Sequence, residues 1–256
     1  RPTKLLHTLV DTMGQEPARR YFTEQLLVAP EKTELCMQTV LAQQAVEAQN
    51  TPDSYSLYVS IPFCPTRCSY CSFVSHSIEH AKKLLPEYTE RLCEELAAAA
   101  QHAGRHGLKL KSIYFGGGTP TTLSAEQLER VTGCIEQHFD LSHLLEYTVE
   151  AGRPDTVTAQ KLAVLKRAGV GRISINPQTM RDDVLQAIGR RHTAAQTREA
   201  FALAREKGFD NINMDLITGL PGDTLEGFSQ TLDEVLALNP ENVTVHTLAI
   251  KRSSTL

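Results

Sequence analysis

The chain has 256 residues, 41% of them hydrophobic, enough for a sizeable core without disulfide staples. A formal net charge of −4 and a pI near 6.2, with Lys and Arg scattered along the chain, leave no basic footprint for nucleic acid. No apolar run reaches the roughly 18 residues of a membrane span and no signal-peptide pattern is present, so a soluble cytoplasmic protein is expected.

Thr3 to Thr12, Pro17 to Val28 and Glu31 to Ala48 carry apolar residues at helical spacing, with Pro17 and Pro30 at the starts. Asn50-Thr51-Pro52-Asp53-Ser54 reads as a linker, so residues 1–54 are expected to form a small helical extension. From Tyr55 short apolar runs alternate with helices. Strands are expected at Tyr55–Ile61, Lys111–Phe115, Glu146–Glu150, Arg172–Ile175, Asn211–Ile217 and Asn242–Leu248. Helices are expected at Ala81–Ala103, Ala125–Phe139, Thr156–Ala168, Arg181–Ile188, Ala195–Lys207 and Leu225–Leu238. In the last, Leu225, Phe228, Leu232, Val235 and Leu236 are spaced to share a face. Gly169 and Gly208 stand where a left-handed residue closes a helix. Strands alternating with helices predict a parallel α/β sheet over residues 55–256, either open and doubly wound or a partial barrel. The chain begins at Arg1 without a methionine and stops at Leu256 soon after a strand-like run. It therefore reads as a piece truncated before a C-terminal domain.

The unusual residues gather at one edge. The cysteines, Gly116-Gly117-Gly118-Thr119-Pro120, Glu150, Asn176-Pro177-Gln178 and Asp215 all lie at or just past C-terminal strand ends. Parallel α/β folds place their chemistry there.

Three of the six cysteines fall within eight residues, as Cys64-Pro-Thr-Arg-Cys68-Ser-Tyr-Cys71. Cys36, Cys93 and Cys134 are isolated in helical stretches and read as small apolar residues. Three local thiolates suit zinc or an iron–sulfur cluster. A structural zinc site takes four protein ligands, usually in two separated pairs. No second pair is present, although His76 and His80 offer a zinc alternative. With three thiolates on four irons, one iron stays open, and an open position marks a catalytic metal site.

The string Tyr58-Val-Ser-Ile-Pro-Phe-Cys64-Pro-Thr-Arg-Cys68-Ser-Tyr-Cys71 resembles the oxygen-independent coproporphyrinogen III oxidase family of radical S-adenosylmethionine (SAM) enzymes. The likeness continues through Gly116–Thr121, Glu150, Asn176–Gln178, Ile188-Gly-Arg190-Arg-His192 and Asp215–Pro221. It is nearest the coproporphyrinogen dehydrogenase branch with an N-terminal helical extension. The resemblance implies a partial (β/α)6 barrel, a 4Fe–4S cluster on Cys64, Cys68 and Cys71, and SAM as cofactor. It implies an electron donor such as reduced flavodoxin or ferredoxin. The implied reaction is radical hydrogen abstraction from propionates of coproporphyrinogen III, followed by loss of carbon dioxide and of one electron to an acceptor, giving the vinyl groups of protoporphyrinogen IX in haem biosynthesis.

The same resemblance assigns site residues. Gly117, Gly118 and Thr119 form the loop that meets the methionine amino group, which Glu150 balances; a mere pair of Glu150 with Arg153 is the plain alternative. Gln178 and Asp215 match positions that bond the ribose hydroxyls. Arg190 matches the partner of the methionine carboxylate, with Arg191 able to exchange roles. Tyr58 matches a cofactor-proximal tyrosine, and Phe73 falls near the adenine. His192 and His246 read as satisfied structural histidines. Well-known members carry a fourth cysteine where Phe73 stands, and haem-chaperone relatives have Phe there. A haem-binding relative, and a methyltransferase or haem-degrading relative, therefore stay open.

Overall fold

In the computed structural model, which describes residues 2–256, the first residues fold as helices, the second of them beginning at Gln15, two residues before the Pro17 expected to open it. Helix α1 (Pro2–Met13) stops at Gly14, whose φ of +85° no helix accommodates. Helix α2 (Gln15–Arg20) runs into a π-helical turn at Tyr21–Gln25, closed by Leu26 N–H donating to Tyr21 O at 3.1 Å. Helix α3 (Pro30–Glu47) opens on Pro30, whose missing N–H costs nothing at a helix start. Leu6, Ala18, Phe22, Cys36, Met37 and Val40 bury together as the core of this unit. Chain contacts separate it, up to Ser54, from a second unit beginning at Tyr55.

Strand β1 (Ser54–Ile61) leads into the second unit and is followed by a short parallel pair, β2 (Phe63–Cys64) and β3 (His76–Ser77), which brackets the cysteine loop. Two-residue strands carry no periodicity, and nothing in the residue pattern announces this pair. The single helix expected from Ala81 is instead α4 (Ile78–Ala81) and α5 (Leu85–Arg105), separated by a 3-10 turn at Lys82–Leu84. Pro86 is the reason: its ring excludes the carbonyl four residues back, so the chain restarts there.

Five further strands follow: β4 (Lys109–Gly117), β5 (Glu146–Glu150), β6 (Arg172–Ser174), β7 (Ile212–Thr218) and β8 (Asn242–Thr247). Between them run α6 (Ala125–His138), α7 (Ala159–Arg167), α8 (Asp182–Ala187), α9 (Ala194–Glu206) and α10 (Leu225–Ala237). The sheet order is β1-β4-β5-β6-β7-β8, and each neighbouring pair from β4 to β8 is parallel. Apart from the separate β2–β3 pair, each strand joins the last one laid down, which is the winding of the partial (β/α)6 barrel. Ile113, Phe115, Val149, Ile173, Met214 and Leu216 pack in one core with Leu96, Val131, Leu162, Leu165 and Phe201 of the helices.

Local chemistry sets the helix ends. Ser124 and Gln127 form a reciprocal capping box at α6, and Thr193 with Gln196 forms another at α9. Gly169 and Gly208 adopt φ of +81° and +83° just past their helices. Helix α10 departs from expectation. Val235 is buried, but Leu225 and Leu236 are 80% and 54% exposed. The buried face is centred on Gly227, Thr231 and Val235, so the two leucines fall at its edge.

Candidate active site

The C-terminal ends of the strands surround a cleft of about 370 Å3, a size usual for cofactor sites. Cys64, Cys68 and Cys71 line it together with Phe73, Gly117, Gly118, Thr119, Glu150, Gln178, Arg190 and Asp215. Eleven of the twelve expected site residues thus share one cavity. Tyr58 is the exception. It is 59% exposed, and its ring stacks on Tyr114 with centroids 5.9 Å apart.

The cysteine loop is tied down from several directions. Ser69 N–H donates to Ile188 O at 3.0 Å, Thr66 Oγ1 to Gly189 O at 2.7 Å, and Thr255 N–H to Ser69 O at 2.8 Å. Thr119 Oγ1 donates to Cys64 Sγ at 3.5 Å. The glycine loop after β4 is needed for close approach. A Cβ on Gly118 would lie 2.7 Å from Phe63 O and 2.9 Å from Ile61 O, both backbone atoms. Gly117 has φ of +101°, and its Cβ would meet Ser60 Oγ at 2.8 Å.

At the end of β5, Glu150 accepts a hydrogen bond from Tyr114 Oη at 2.5 Å. Burial pushes the Glu150 carboxyl above its ordinary range; the Tyr114 bond opposes this, and the Asp215 charge adds to it. Glu150 does not pair with Arg153. That guanidinium turns to Asp155, Thr66 and Cys68.

Across the cleft, Gln178 holds a φ of +68°, unusual outside glycine. It is locked there by its N–H to Asp215 O at 3.0 Å and by Ile217 N–H to its own carbonyl at 2.9 Å. Asp215 accepts from Asn213 Nδ2 at 2.7 Å, and its N–H donates to Asn176 Oδ1 at 3.3 Å. Arg190 is 8% exposed, with Nη1 donating to Asn176 O at 2.6 Å and Gly152 O at 3.3 Å. Its Nε has no partner among the described residues. Arg191 points elsewhere, pairing with Glu79 at 2.6 Å on an exposed surface, so the structure separates the two adjacent arginines.

Two histidine expectations need correction. His192 is buried, yet neither ring nitrogen finds a hydrogen bond among the described residues. Burial, with the charges of Arg190 and Arg153, pushes it down to about 3, so the ring is neutral. His246, at the end of β8, lines the cleft. His76 and His80 line a separate hollow with Glu79 and Arg191. Tyr70 and Tyr114 carry no site expectation from the sequence, Asn176 is expected at the rim without a role, and Arg153 only as a partner of Glu150, yet all four belong to the site. For Tyr114 a signal existed: strand alternation puts it on the face opposite Phe115, toward the barrel interior.

The donor set fits an iron–sulfur cluster. All three thiols are free, and Cys71 is pushed up by burial and by the nearby Cys68 and Cys64 sulfurs. The Cys71 thiol therefore ionises readily only with cationic iron beside it. Among the described residues no three His, Cys, Asp or Glu side chains converge as one ion would need, whereas an iron–sulfur cube takes thiolates at separate corners. Arg190, which lines the cleft and whose Nε is unpaired among the described residues, offers a cationic donor for an anionic group beside it.

Comparison with known proteins agrees. The family model for the Radical SAM superfamily matches residues 58–235. The chain is 42% identical over 99% of its length to the oxygen-independent coproporphyrinogen-III oxidase-like protein HemZ of Bacillus subtilis, covering 52% of that protein. It is 40% identical over 77% of its length to the haem chaperone HemW of Bacillus subtilis, covering 51% of it. Among solved structures, coproporphyrinogen III oxidase (HemN) from Escherichia coli superposes with a TM-score of 0.70 at 29% identity. That match covers 81% of this chain and 47% of HemN. The chain spans about half the length of the curated relatives it matches. A 4Fe–4S cluster and SAM are the cofactors of this superfamily. The chain belongs to the radical SAM superfamily, in the group that resembles oxygen-independent coproporphyrinogen III oxidase.

Proposed function

We propose that this chain carries the radical site of an enzyme that oxidatively decarboxylates coproporphyrinogen III propionates to vinyl groups. The observation that carries the reading is the single cleft in which three free thiols face Glu150, Gln178, Arg190 and Asp215. Cys64, Cys68 and Cys71 hold the cluster. When bound, cluster and SAM together supply a radical able to take hydrogen from an unactivated carbon.

The chain's own residues do the rest. Glu150, ionised, balances the methionyl ammonium, while Arg190 meets the carboxylate with its free Nε. Gln178 and Asp215 accept from the ribose hydroxyls. Gly117, Gly118 and Thr119 let backbone come close, and Phe73 covers the adenine. Tyr58 stands behind Glu150 against Tyr114. Together these groups position the reacting atoms and exclude water. Residues 55–256 form the catalytic barrel and residues 1–54 an accessory helical unit. Reduced flavodoxin or ferredoxin delivers the electron in the cytoplasm. Among the described residues no helix is long and apolar enough to cross a membrane.

A second reading is a haem-binding or haem-transfer role. Phe73, 66% exposed at the place of a fourth cysteine, supports it, as does the likeness to HemW. One experiment separates the two. The full-length protein is reconstituted anaerobically, then given SAM, dithionite and coproporphyrinogen III. Production of 5′-deoxyadenosine with loss of carbon dioxide from the tetrapyrrole, seen by mass spectrometry, supports the decarboxylase. Stoichiometric haem binding without turnover favours the chaperone. A methylated or ring-opened product points to another radical reaction. Absence of iron and sulfide in wild type, or their retention in Cys68→Ala, overturns the whole reading.

A further inference from the structure

Arg153 sits three residues past the end of β5, with its side chain 3% exposed. All three nitrogens of its fork are engaged. Nε donates to Asp155 Oδ1 at 3.3 Å, Nη2 to Thr66 Oγ1 at 3.1 Å, and Nη1 to Thr66 O at 3.3 Å and Cys68 Sγ at 3.9 Å. Thr66 in turn donates to Gly189 O at 2.7 Å, which ties the same point to the segment carrying Arg190. A guanidinium rooted on one strand end therefore grips the middle of the Cys64–Cys68 loop and touches a cysteine sulfur.

The plain reading, an ion pair with Asp155, uses one N–H and explains only one end of the fork. Burying a cation is costly unless its hydrogen bonds are returned. Here two of the three nitrogens return theirs to the loop that positions Cys68. Cationic donors to cluster sulfurs stabilise the more negative, reduced cluster, because the added electron raises the charge on the sulfurs.

On the proposed reading that Cys64, Cys68 and Cys71 hold a cluster, we infer that Arg153 is a positioning residue for it. Arg153 pins the cysteine loop through Thr66 and, as a cationic donor to Cys68 Sγ, raises the cluster's reduction potential.

The test uses the full-length protein, reconstituted anaerobically, as wild type, Arg153→Gln, Arg153→Lys and Thr66→Val. Iron and sulfide content, the midpoint from a redox titration followed by electron paramagnetic resonance, and the rate of iron loss to a chelator are measured. Arg153→Gln is expected to have a more negative midpoint and to lose iron about ten-fold faster, the usual scale for a residue that supports a metal ligand. Arg153→Lys keeps the charge but not the fork, so it keeps a midpoint near wild type and loses iron faster. Thr66→Val is expected to lose iron faster at an unchanged midpoint.

A midpoint for Arg153→Gln equal to or above wild type overturns the electrostatic role. Wild-type iron loss in both Arg153→Lys and Thr66→Val overturns the pinning role; if Arg153→Gln does not fold, the midpoint of Arg153→Met, expected below that of Arg153→Lys, decides the electrostatic role, and equal midpoints overturn it. A wild type that takes up no iron and sulfide overturns the cluster reading instead, which separates that failure from failure of the Arg153 inference.

Discussion

Tyr114 donates its hydroxyl to Glu150 at 2.5 Å, across the ends of neighbouring strands β4 and β5. The bond favours the ionised carboxyl, against burial and the Asp215 charge. Removing the hydroxyl therefore drives the Glu150 pKa further up. Tyr114→Phe is expected to weaken SAM binding roughly ten-fold, since a hydrogen bond to a charged group contributes about 1.5–3 kcal/mol. The acid limb of SAM affinity against pH also moves to higher pH, because the ammonium needs the ionised carboxylate. Calorimetric titration of reconstituted protein across pH checks both; an unshifted limb rejects the role of Tyr114.

His192 yields a stability prediction. Its folded value, about 3, lies below the ordinary 6.5, so between these pH values the unfolded chain binds the extra proton. Stability therefore rises with pH across that window and is lost as pH falls through it. Replacing His192 by Phe is expected to flatten the dependence between about pH 4 and 6.5, read as urea midpoints over a pH series. A slope identical to wild type would falsify the assignment of the titration to His192.

The glycine loop separates two kinds of substitution. Gly118→Ala forces a methyl against the carbonyls of Ile61 and Phe63, which are backbone and cannot swing away. A loss of about 1–3 kcal/mol in stability is expected, with reduced iron uptake, because Phe63 leads directly into Cys64. Gly133→Ala, on α6 with nothing within 4 Å of the added methyl, is expected to be neutral or slightly stabilising. Chemical denaturation with iron analysis compares them.

The adjacent arginines should behave oppositely. Arg190→Gln strips Asn176 O and Gly152 O of a buried charged donor, so both stability and SAM affinity are expected to fall by at least ten-fold in the respective constants. Arg191→Gln breaks an exposed pair with Glu79, worth about 0–1 kcal/mol, and should leave SAM binding unchanged. Equal effects in the two variants would contradict the geometry.

Much of the architecture was legible in the chain. Strand and helix bounds in the barrel follow two periodicities and a few caps, which are local properties of neighbouring residues. The departures are equally local in cause: Pro86 splits a helix, and a two-residue pairing at Phe63–Cys64 leaves no pattern to read. Helical spacing does not give the buried face of α10, because it shows which residues are close on the helix and not where the sheet's face meets it.

The sequence by itself determined that three thiols lie in one loop and that the other chemistry-bearing residues stand at strand ends, because spacing and alternation are written along the chain. Only the tertiary structure decided which groups meet. It turned Arg190 inward and Arg191 out, kept Glu150 from Arg153, brought Tyr114 to Glu150, and placed the Arg153 fork on Thr66 and Cys68. Those contacts join residues tens of positions apart, and the twist of the sheet and the packing of its helices fix which side chains share the cleft.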